Sequence, residues 1–402
     1  MTFMTNITLP SLLFHRGTSW TGKVRGSTNI LAQMFLRSGY PTTWLTRPFH
    51  VGHVLRSCRG TKKLAFASHS VRHDDGALEI RPFTVIPILK SRLLGQRVWS
   101  FSAAAGYRTI SPSLPRVLSA AEQPTPDLIW STGGDGRGLR AAFPHARRIV
   151  QCVDIYESYS GSAQNRLEMS DYKNADAVVT IGHALSAYLT RERGVPPEKI
   201  TVIGQGADLD LFAVRQPEPK DIASAGRPRL IWVGVIAKAD PKLMEAALAS
   251  LPEGSGALIL VGPPTPWAKA LAASDSRVRL VGAHNATKSA AYLQHCDLGL
   301  MLYDQTRDRR QYEGQNPLKL YEMAAAGLPI VSTSHHEYKY IDAPVLVADT
   351  SEAVKFAVRD ALRRATELAE HSRSFADRNG WQARFNEAEL LVNKVLRGEQ
   401  GR

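Results

Sequence analysis

The sequence predicts an α/β protein with two Rossmann-like, doubly wound domains that face a cleft, and two observations support this. Short apolar runs alternate with helical patterns along most of the chain, which is typical of parallel strands joined by helices. The runs also fall into two sets, separated by the polar stretch 214–229 with its three prolines. Each set is large enough to form a sheet of its own.

The apolar runs are short and continuous, so they predict strands that are buried on both faces of a sheet. In the first half they are Ser11–His15, Thr42–Thr46, Leu128–Ser131, Arg148–Val153, Ala177–Ile181 and Ile200–Ile203. In the second half they are Leu230–Gly234, Ala257–Gly262, Val278–Gly282, Leu298–Leu302 and Pro329–Ser332. Residues 48–125 fit the alternation least well. From the two sets of runs we expect domains at 1–214 and 215–378, followed by a helix in 379–402.

The last helical pattern places five apolar side chains on one stripe, which must be buried against another element. They are Trp381, Phe385, Ala388, Val392 and Val395.

Composition excludes several classes of protein. Only three cysteines occur in 402 residues, which excludes a disulfide scaffold and fits a reducing compartment. No stretch approaches about 18 uncharged apolar residues, so no membrane-spanning helix is expected. The N-terminal run lacks a charged region ahead of a long apolar core and predicts a first strand rather than a signal peptide.

The net charge of +13 is unevenly distributed. Residues 1–150 contain 20 Lys and Arg against 6 Asp and Glu, whereas residues 151–402 contain 30 against 31. This asymmetry favours an anionic partner, such as nucleic acid, acidic lipid or phosphate. A basic face without a partner is the alternative.

Ligands of open α/β sheets bind outside the carboxyl ends of the strands, so the segments that follow strands are the candidate sites. After the first strand, residues 16–28 combine three glycines with Trp20, Lys23 and Arg25. Such a loop can approach a phosphate or a sugar closely, although it is equally consistent with a flexible basic loop. Asp154 follows the run Arg148–Val153 and is placed either to act as a general base or to cap the next helix.

The densest signal is Asn316–Pro329, NPLKLYEMAAAGLP. Lys319 and Glu322 are three residues apart and share one helix face, with Pro317 suited to the helix start. Lys319 adds positive charge where the helix dipole already favours an anion, so a diphosphate fits there. Gly234 and Lys238 would line the same site. The alternative is a structural ion pair between Lys319 and Glu322.

Other catalytic signals are missing from the sequence. Histidines and cysteines show no metal-ligand spacing, and the adjacent His335 and His336 are expected in an exposed loop. We find no phosphate-binding P-loop, no nucleophile elbow and no paired carboxylates of the glycosidase kind.

In their order along the chain, these segments resemble the GT-B glycosyltransferases that use nucleotide sugars. The resemblance rests on PLKLYEMAAAGLPIVST, NADAVVTIGHALSAYL, ITVIGQGADLDLF and VRLVGAHNATKSAAYLQHCDLGLMLYD, and covers about residues 125–400. The terminal GWQARF helix resembles the family's segment that crosses back to the N-terminal domain.

The resemblance implies that domain 1–214 binds an acceptor and domain 215–378 binds a nucleotide sugar. The implied donor residues are Gly234, Lys238, Tyr303, Asn316, Pro317, Leu318, Lys319 and Glu322. Trp20, Lys23 and Arg25 are implied on the acceptor side. No metal or cofactor is expected, because lysines and helix dipoles can stabilise a diphosphate leaving group.

The segments SWTGKVRGSTNILAQMFLRSGYPTTWLTRPF and CVDIYESYSG resemble the bacterial polysaccharide branch of this family. That branch includes the membrane-associated β-glucuronosyltransferase type of xanthan assembly, in which an aspartate after the corresponding strand is the catalytic base. Asp154 occupies that place. Many retaining members carry glutamates at i and i+8, but Gly314 stands eight residues before Glu322, with Glu313 one residue off. This departure favours an inverting enzyme.

The functional hypothesis is therefore inverting transfer of a sugar from a UDP-sugar to a lipid-linked or other saccharide acceptor in polysaccharide biosynthesis. Glucuronic acid is the sugar implied by the xanthan branch. The alternatives are a retaining glycosyltransferase of the same fold and a nucleotide-sugar epimerase, which needs no acceptor. Nucleic acid is not expected as a partner, since no basic stripe interleaved with aromatic residues occurs.

We expect a cytoplasmic protein, peripherally associated with the inner face of the cell membrane through its basic N-terminal domain. The segment 85–98, VIPILKSRLLGQRV, places Lys90, Arg92 and Arg97 among apolar residues. As a helix it could insert shallowly into a membrane with acidic lipids. The alternative is a core helix with basic ends.

Overall fold

The computed structural model describes residues 9–22, 26–50, 67–86, 105–133, 136–155, 162–307 and 309–399. The chain forms two compact units. Unit 1 comprises residues 1–203 and 385–402, and unit 2 comprises residues 204–384. The functional domains expected at 1–214, 215–378 and 379–402 stay predictions, because these units are defined by packing alone.

Unit 1 contains an eight-stranded sheet in the order β10-β9-β8-β7-β1-β2-β5-β4. All neighbouring strands are parallel except the antiparallel pair β4 and β5. The strands are β1 (Leu12–His15), β2 (Thr42–Leu45), β4 (His69–Arg72), β5 (Leu78–Arg81), β7 (Leu128–Thr132), β8 (Arg147–Cys152), β9 (Ala177–Thr180) and β10 (Ile200–Val202). A separate parallel pair is formed by β3 (Phe49–His50) and β6 (Phe83–Thr84).

Helices cover both faces of this sheet. Leu12 and Phe14 belong to one buried cluster and Leu13 to another, as expected when alternate residues of a strand point to opposite faces. The α-helices of unit 1 are α1 (Ser27–Arg37), α2 (Leu114–Ala120), α3 (Gly136–Ala142), α4 (Ser162–Asn174) and α5 (His183–Arg193), and Pro197–Lys199 forms a 3₁₀ turn.

Unit 2 is built on a six-stranded sheet in the order β13-β12-β11-β14-β15-β16, in which all neighbours are parallel. The strands are β11 (Arg229–Val233), β12 (Ala257–Val261), β13 (Val278–Gly282), β14 (Leu298–Met301), β15 (Ile330–Ser332) and β16 (Val345–Val347). Numbered from β11 outward, this is the strand order of a doubly wound fold, and β11 lies at its centre.

Four helices of unit 2, α7 (Pro241–Ala249), α8 (Pro266–Ser274), α9 (Ala286–Gln294) and α12 (Ser351–Arg363), begin at side-chain caps of the same kind. Asp240, Thr265, Asn285 and Thr350 each accept a hydrogen bond from a backbone N–H of the first turn that follows. The α-helices are α6 (Leu209–Ala213), α7 (Pro241–Ala249), α8 (Pro266–Ser274), α9 (Ala286–Gln294), α10 (Arg309–Glu313), α11 (Leu318–Ala325), α12 (Ser351–Arg363) and α13 (Ala365–Arg378). Short 3₁₀ helices are formed by Ile236–Lys238 and His336–Lys339.

The C-terminal helix α14 (Trp381–Leu396) carries the chain back into unit 1 from Phe385 onward. Its predicted apolar stripe is buried, from Trp381 to Val395. The Phe385 ring lies edge-on to Phe35 of α1, with centroids 5.0 Å apart. The fold class and this crossing helix are thus as predicted.

All eleven predicted strands are present, and no strand end is shifted by more than one residue. The sequence pattern missed β16 in unit 2. It also missed β4, β5 and the short pair β3 and β6, which lie in the stretch that fitted the alternation least. The turn residues Asp74–Gly76 connect β4 to β5, and Gly76 there has φ +87°. The segment 85–98 lies almost entirely outside the described residues, as do Lys23 and Arg25.

No helix among the residues that the structure describes is long and apolar enough to cross a membrane.

Candidate functional site

The site in unit 2 begins where its sheet changes winding direction, between β11 and β14. A ligand of such a sheet binds outside the carboxyl ends of these strands. Gly234 follows β11 directly, and Tyr303 follows β14 by two residues. The backbone of Ala239 pairs with that of Tyr303, which fixes the two loops against each other. Two of the predicted donor residues therefore lie at the expected edge.

Gly234 adopts φ +116°, a backbone conformation that side-chain-bearing residues rarely adopt. Its N–H donates to the Val261 carbonyl at 2.8 Å. A Cβ on Gly234 would lie 3.3 Å from Lys319 Nζ, so glycine leaves the room that the lysine occupies. Lys238 lies in the 3₁₀ turn after this loop, with an exposed side chain.

Helix α11 starts and stops as predicted. Pro317 is its N-cap residue, and Gly327, with φ +71°, follows its end. The buried Asn316 accepts a hydrogen bond from the Tyr321 hydroxyl at 3.1 Å, which ties the entry loop to the helix. Leu318 is half-buried in the first turn. Asn316, Pro317 and Leu318 therefore position the helix start on which Lys319 stands.

Lys319 is half-buried and has no ionic or hydrogen-bond partner among the described residues. Its Nζ instead lies 3.5 Å from the Trp232 ring centroid and 4.8 Å from that of Tyr303. Burial, followed by the positive charge of Lys238, lowers the pKa of Lys319 well below its usual range, while Glu322 opposes that shift. An anion placed here would supply the missing counter-charge.

Glu322, one turn further along α11, is also half-buried. It lies more than 4.0 Å from Lys319 Nζ, so the structural ion pair considered above is not formed. Burial raises the pKa of Glu322 to about 7, with Asp208 adding to the rise and Lys319 opposing it. The pair can bind an anion at Lys319 and a hydroxyl at Glu322.

Aromatic side chains back this site. Tyr303 is buried, with its ring centroid 5.7 Å from Tyr312 and 5.2 Å from His335. His335 stacks on Tyr312 at 4.4 Å and is 3% exposed, so the expectation of an exposed loop is wrong for His335. His336 is exposed as expected, but it begins a 3₁₀ helix. Burial lowers the pKa of His335 to about 3, which keeps the ring neutral.

A pocket of about 460 Å³ opens beside these rings in unit 2. It is lined by Gln305, Thr306, Arg309, Tyr312, Glu313, Ser334 and His336. Glu313 forms ion pairs with Arg310 at 2.9 Å and with Arg309 at 3.8 Å.

Asp154 lies in unit 1, two residues after β8, and is half-buried. Its Oδ1 accepts a hydrogen bond from the Ile155 N–H at 2.9 Å. The Cys152 thiol donates a hydrogen bond to the backbone carbonyl of Asp154 at 3.4 Å. These contacts hold the carboxylate beside the carboxyl end of a buried strand. Its role as a base stays a prediction.

Trp20 is 3% exposed in the loop after β1. Its indole N–H donates to Asp75 at 2.9 Å, and its backbone N–H donates to the fully buried Glu79 at 3.4 Å. The described contacts of Trp20 anchor this loop to the β4–β5 hairpin. Lys23 and Arg25 lie outside the described residues, and the acceptor-side role of all three stays a prediction.

Sequence reasoning missed Trp232, Tyr312 and His335 as parts of this site. Trp232 was visible only as one apolar residue of a predicted strand, although its place two residues before Gly234 puts it next to the strand end. In the described part of the chain, no group of three or more His, Cys, Asp or Glu residues is placed to hold a metal ion.

Two glycosyltransferase domain families match the chain in tandem. Residues 89–206 match the Glycosyl transferase 4-like domain, and residues 227–364 match Glycosyl transferases group 1. Together these matches take in well over half of the sequence.

Similar proteins point the same way. TuaH of Bacillus subtilis, named as a teichuronic acid biosynthesis glycosyltransferase, is 22% identical over 272 residues, which is 63% of this chain and 67% of TuaH. The structure resembles sucrose-phosphate synthase of Thermosynechococcus elongatus, with a TM-score of 0.69, 17% identity and coverage of 96% and 99% of the two chains. It also resembles Anabaena HepE in complex with UDP-glucose, with a TM-score of 0.63, 15% identity and coverage of 96% and 100%.

The raised pKa of Glu322 predicts a pH-dependent stability. Because the folded chain holds this proton more tightly than the unfolded chain, Glu322 makes folding less favourable as the pH rises from about 4.5 to about 7. Glu322→Gln should remove this pH-dependent loss in the free energy of unfolding, which is about 1.4 kcal/mol for each unit by which folding raises the pKa of Glu322. Urea unfolding at pH 4.5 and pH 8 measures it, with the exposed Glu370→Gln as the control. Parallel pH profiles for wild type and Glu322→Gln would contradict the assignment.

Proposed function

Because the chain belongs to the glycosyltransferases of the GT-B fold, we propose that it transfers a sugar from a UDP-sugar to a saccharide acceptor in polysaccharide biosynthesis, with inversion at the anomeric carbon. One observation carries the donor assignment. The half-buried Lys319 ammonium, at the carboxyl edge of a doubly wound sheet, has no anionic partner among the described residues. A diphosphate supplies that partner.

The donor half of the proposal uses unit 2. Lys319 contacts the diphosphate through charge-assisted hydrogen bonds, and Lys238 adds positive charge at the phosphate edge. The glycine at position 234 lets the backbone approach closely. Glu322 accepts a hydrogen bond from a ribose or sugar hydroxyl. The UDP-glucose complex of HepE, which has the same fold, supports a UDP-sugar as the donor class.

The acceptor half uses unit 1. The Asp154 carboxylate takes the proton of an acceptor hydroxyl, and the resulting oxygen attacks the anomeric carbon of the donor. The bond from that carbon to the diphosphate breaks, and UDP leaves with the electron pair, stabilised by Lys319. The proton stays on Asp154 until solvent removes it. The loop that contains Trp20, Lys23 and Arg25 contributes to acceptor binding.

The position of Glu313 supports inversion over retention. It lies one residue out of register for the arrangement of two glutamates, and its carboxylate forms ion pairs with Arg309 and Arg310. Glu322 therefore lacks the second glutamate, eight residues before it, that many retaining members carry. Analysis of the product anomer by NMR distinguishes the two stereochemical outcomes, and conversion of a UDP-sugar without acceptor would indicate an epimerase instead.

The similarity to TuaH, which is named for teichuronic acid biosynthesis, supports a saccharide as the acceptor. We propose a lipid-linked saccharide acceptor and, as in the xanthan type, glucuronic acid as the transferred sugar. The enzyme would bind a lipid-linked acceptor at a bilayer surface. The excess of Lys and Arg in residues 1–150 provides the attraction to acidic lipid there.

Lys319→Ala should weaken UDP binding by about 1.5–3 kcal/mol, the scale of a charge-assisted hydrogen bond. Isothermal titration calorimetry with UDP measures the loss. Lys269→Ala, which removes an exposed lysine of α8 in the same unit, is the matched control and should bind UDP like the wild type. Unchanged affinity in Lys319→Ala would remove the basis of the donor assignment.

Asp154→Asn should lower kcat by roughly 100-fold or more, the scale of losing a general base, and leave UDP affinity unchanged. UDP release from a panel of UDP-sugars, offered with lipid-linked saccharides, provides the assay. Asp74→Asn, an exposed aspartate in the same unit, should keep full turnover. Near-normal turnover in Asp154→Asn would show that another group takes the proton.

The full chain should float with liposomes that contain acidic lipid and not with neutral ones, since each basic residue near such a surface contributes about 1 kcal/mol. Binding should fall at 1 M salt, where the screening length is about 3 Å. Replacing Lys90, Arg92 and Arg97 with glutamine should reduce flotation. Equal binding to neutral and acidic vesicles, or to neither, would reject electrostatic docking.

A further inference from the structure

The ammonium of Lys319 lies over two aromatic rings, Trp232 and Tyr303, called here the aromatic pair. Nζ is 3.5 Å from the Trp232 centroid and 4.8 Å from the Tyr303 centroid, both within the range of a cation–π interaction. The two rings lie 5.1 Å apart at 63° to each other. The cation therefore faces two π systems that differ in orientation.

The choice of tryptophan at position 232 carries a cost that packing alone does not explain. Trp232 is fully buried, and its indole nitrogen has no hydrogen-bond partner among the described residues. Burying an N–H without an acceptor is unfavourable, and a phenylalanine would fill much of this space without that penalty. What the indole adds is the aromatic face that binds a cation most strongly.

The second ring is rigidly held. The Tyr303 N–H donates to Thr333 Oγ1 at 3.2 Å, and its ring packs edge-on against both Tyr312 and His335. The neutral His335 adds no positive charge beside the cation. Gly234 bounds the ammonium on another side, since a Cβ added to this glycine would lie only 3.3 Å from Lys319 Nζ. Rings and backbone together define one place for the ammonium.

We propose that Trp232 and Tyr303 are positioning residues that hold the Lys319 ammonium ready for the donor diphosphate. This inference rests on the proposed function and deepens it, and it assigns to Tyr303 a role beneath the lysine rather than in direct contact with the donor. A free lysine side chain loses considerable rotamer entropy when it binds a phosphate. Fixing Nζ in advance removes that cost from donor binding.

The test compares UDP, which presents a diphosphate, with uridine, which does not. Trp232→Leu should weaken UDP binding by about 5- to 30-fold, the scale of a desolvated cation–π interaction, and leave uridine affinity unchanged. Trp232→Phe restores a ring and should bind UDP within about 3-fold of the wild type. Calorimetry measures UDP, ligand-observed NMR measures uridine, and circular dichroism with thermal melting confirms the fold.

Tyr303→Leu provides a second route if Trp232→Leu does not fold. It should weaken UDP binding by about 3- to 10-fold, whereas Tyr303→Phe, which keeps the ring, should not. Tyr292→Leu is the matched control, because Tyr292 is buried in the same unit but contacts Asp221 and His284 instead of a lysine. It should leave the UDP affinity unchanged.

A double-mutant cycle separates this inference from the proposed function. In a Lys319→Ala background, removing either ring should cause no further loss of UDP affinity, since the rings act through the lysine. If Lys319→Ala itself leaves UDP binding unchanged, the donor assignment fails. The positioning role is overturned if Lys319→Ala weakens UDP binding but the ring variants do not. It is also overturned if the loss of UDP affinity in a ring variant adds to that of Lys319→Ala, or if a ring variant weakens uridine binding equally.

Discussion

The candidate site of unit 2 depends on the burial of one strand, β11, at the centre of its sheet. All five of its residues are buried between β12 and β14. Its first residue, Arg229, is fixed by Glu218 at 2.5 Å and by backbone carbonyls, including that of Ala225 at 3.1 Å. With its start anchored, the strand delivers Trp232 and the glycine that follows it to a defined point at the sheet edge.

That point combines two charges that have no ionic partner in the part of the chain that the structure describes. Lys319 and Glu322 are both half-buried, so each loses hydration without gaining a salt bridge in return. Their opposed pKa shifts express this cost, since burial favours the neutral form of both. An anionic, hydroxyl-bearing ligand offsets the cost for both groups at once. The site is therefore arranged to be more favourable when it is filled than when it is empty.

Local sequence signals predicted eleven of the strands, the caps of α11 and the shared face of Lys319 and Glu322, because each depends on residues close together in the chain. Tertiary contacts were beyond those signals. The approach of Trp232 to Lys319 joins residues 87 positions apart, and the burial of His335 depends on the Tyr312 ring. The β4–β5 hairpin was missed because its strands, HSVR and LEIR at the edge of the sheet, mix charged or polar residues with apolar ones and form no continuous apolar run.

The return of α14 to unit 1 has a consequence for how the chain is synthesised. Phe35 of α1 packs against Phe385, a residue that leaves the ribosome some 350 positions later. Unit 2, by contrast, is continuous from residue 204 to residue 384. Since domains fold as units, the first unit can complete its core only after α14 has been made, although most of that unit is synthesised before the second begins. The early part of the chain therefore fixes the surface that its last helix must match.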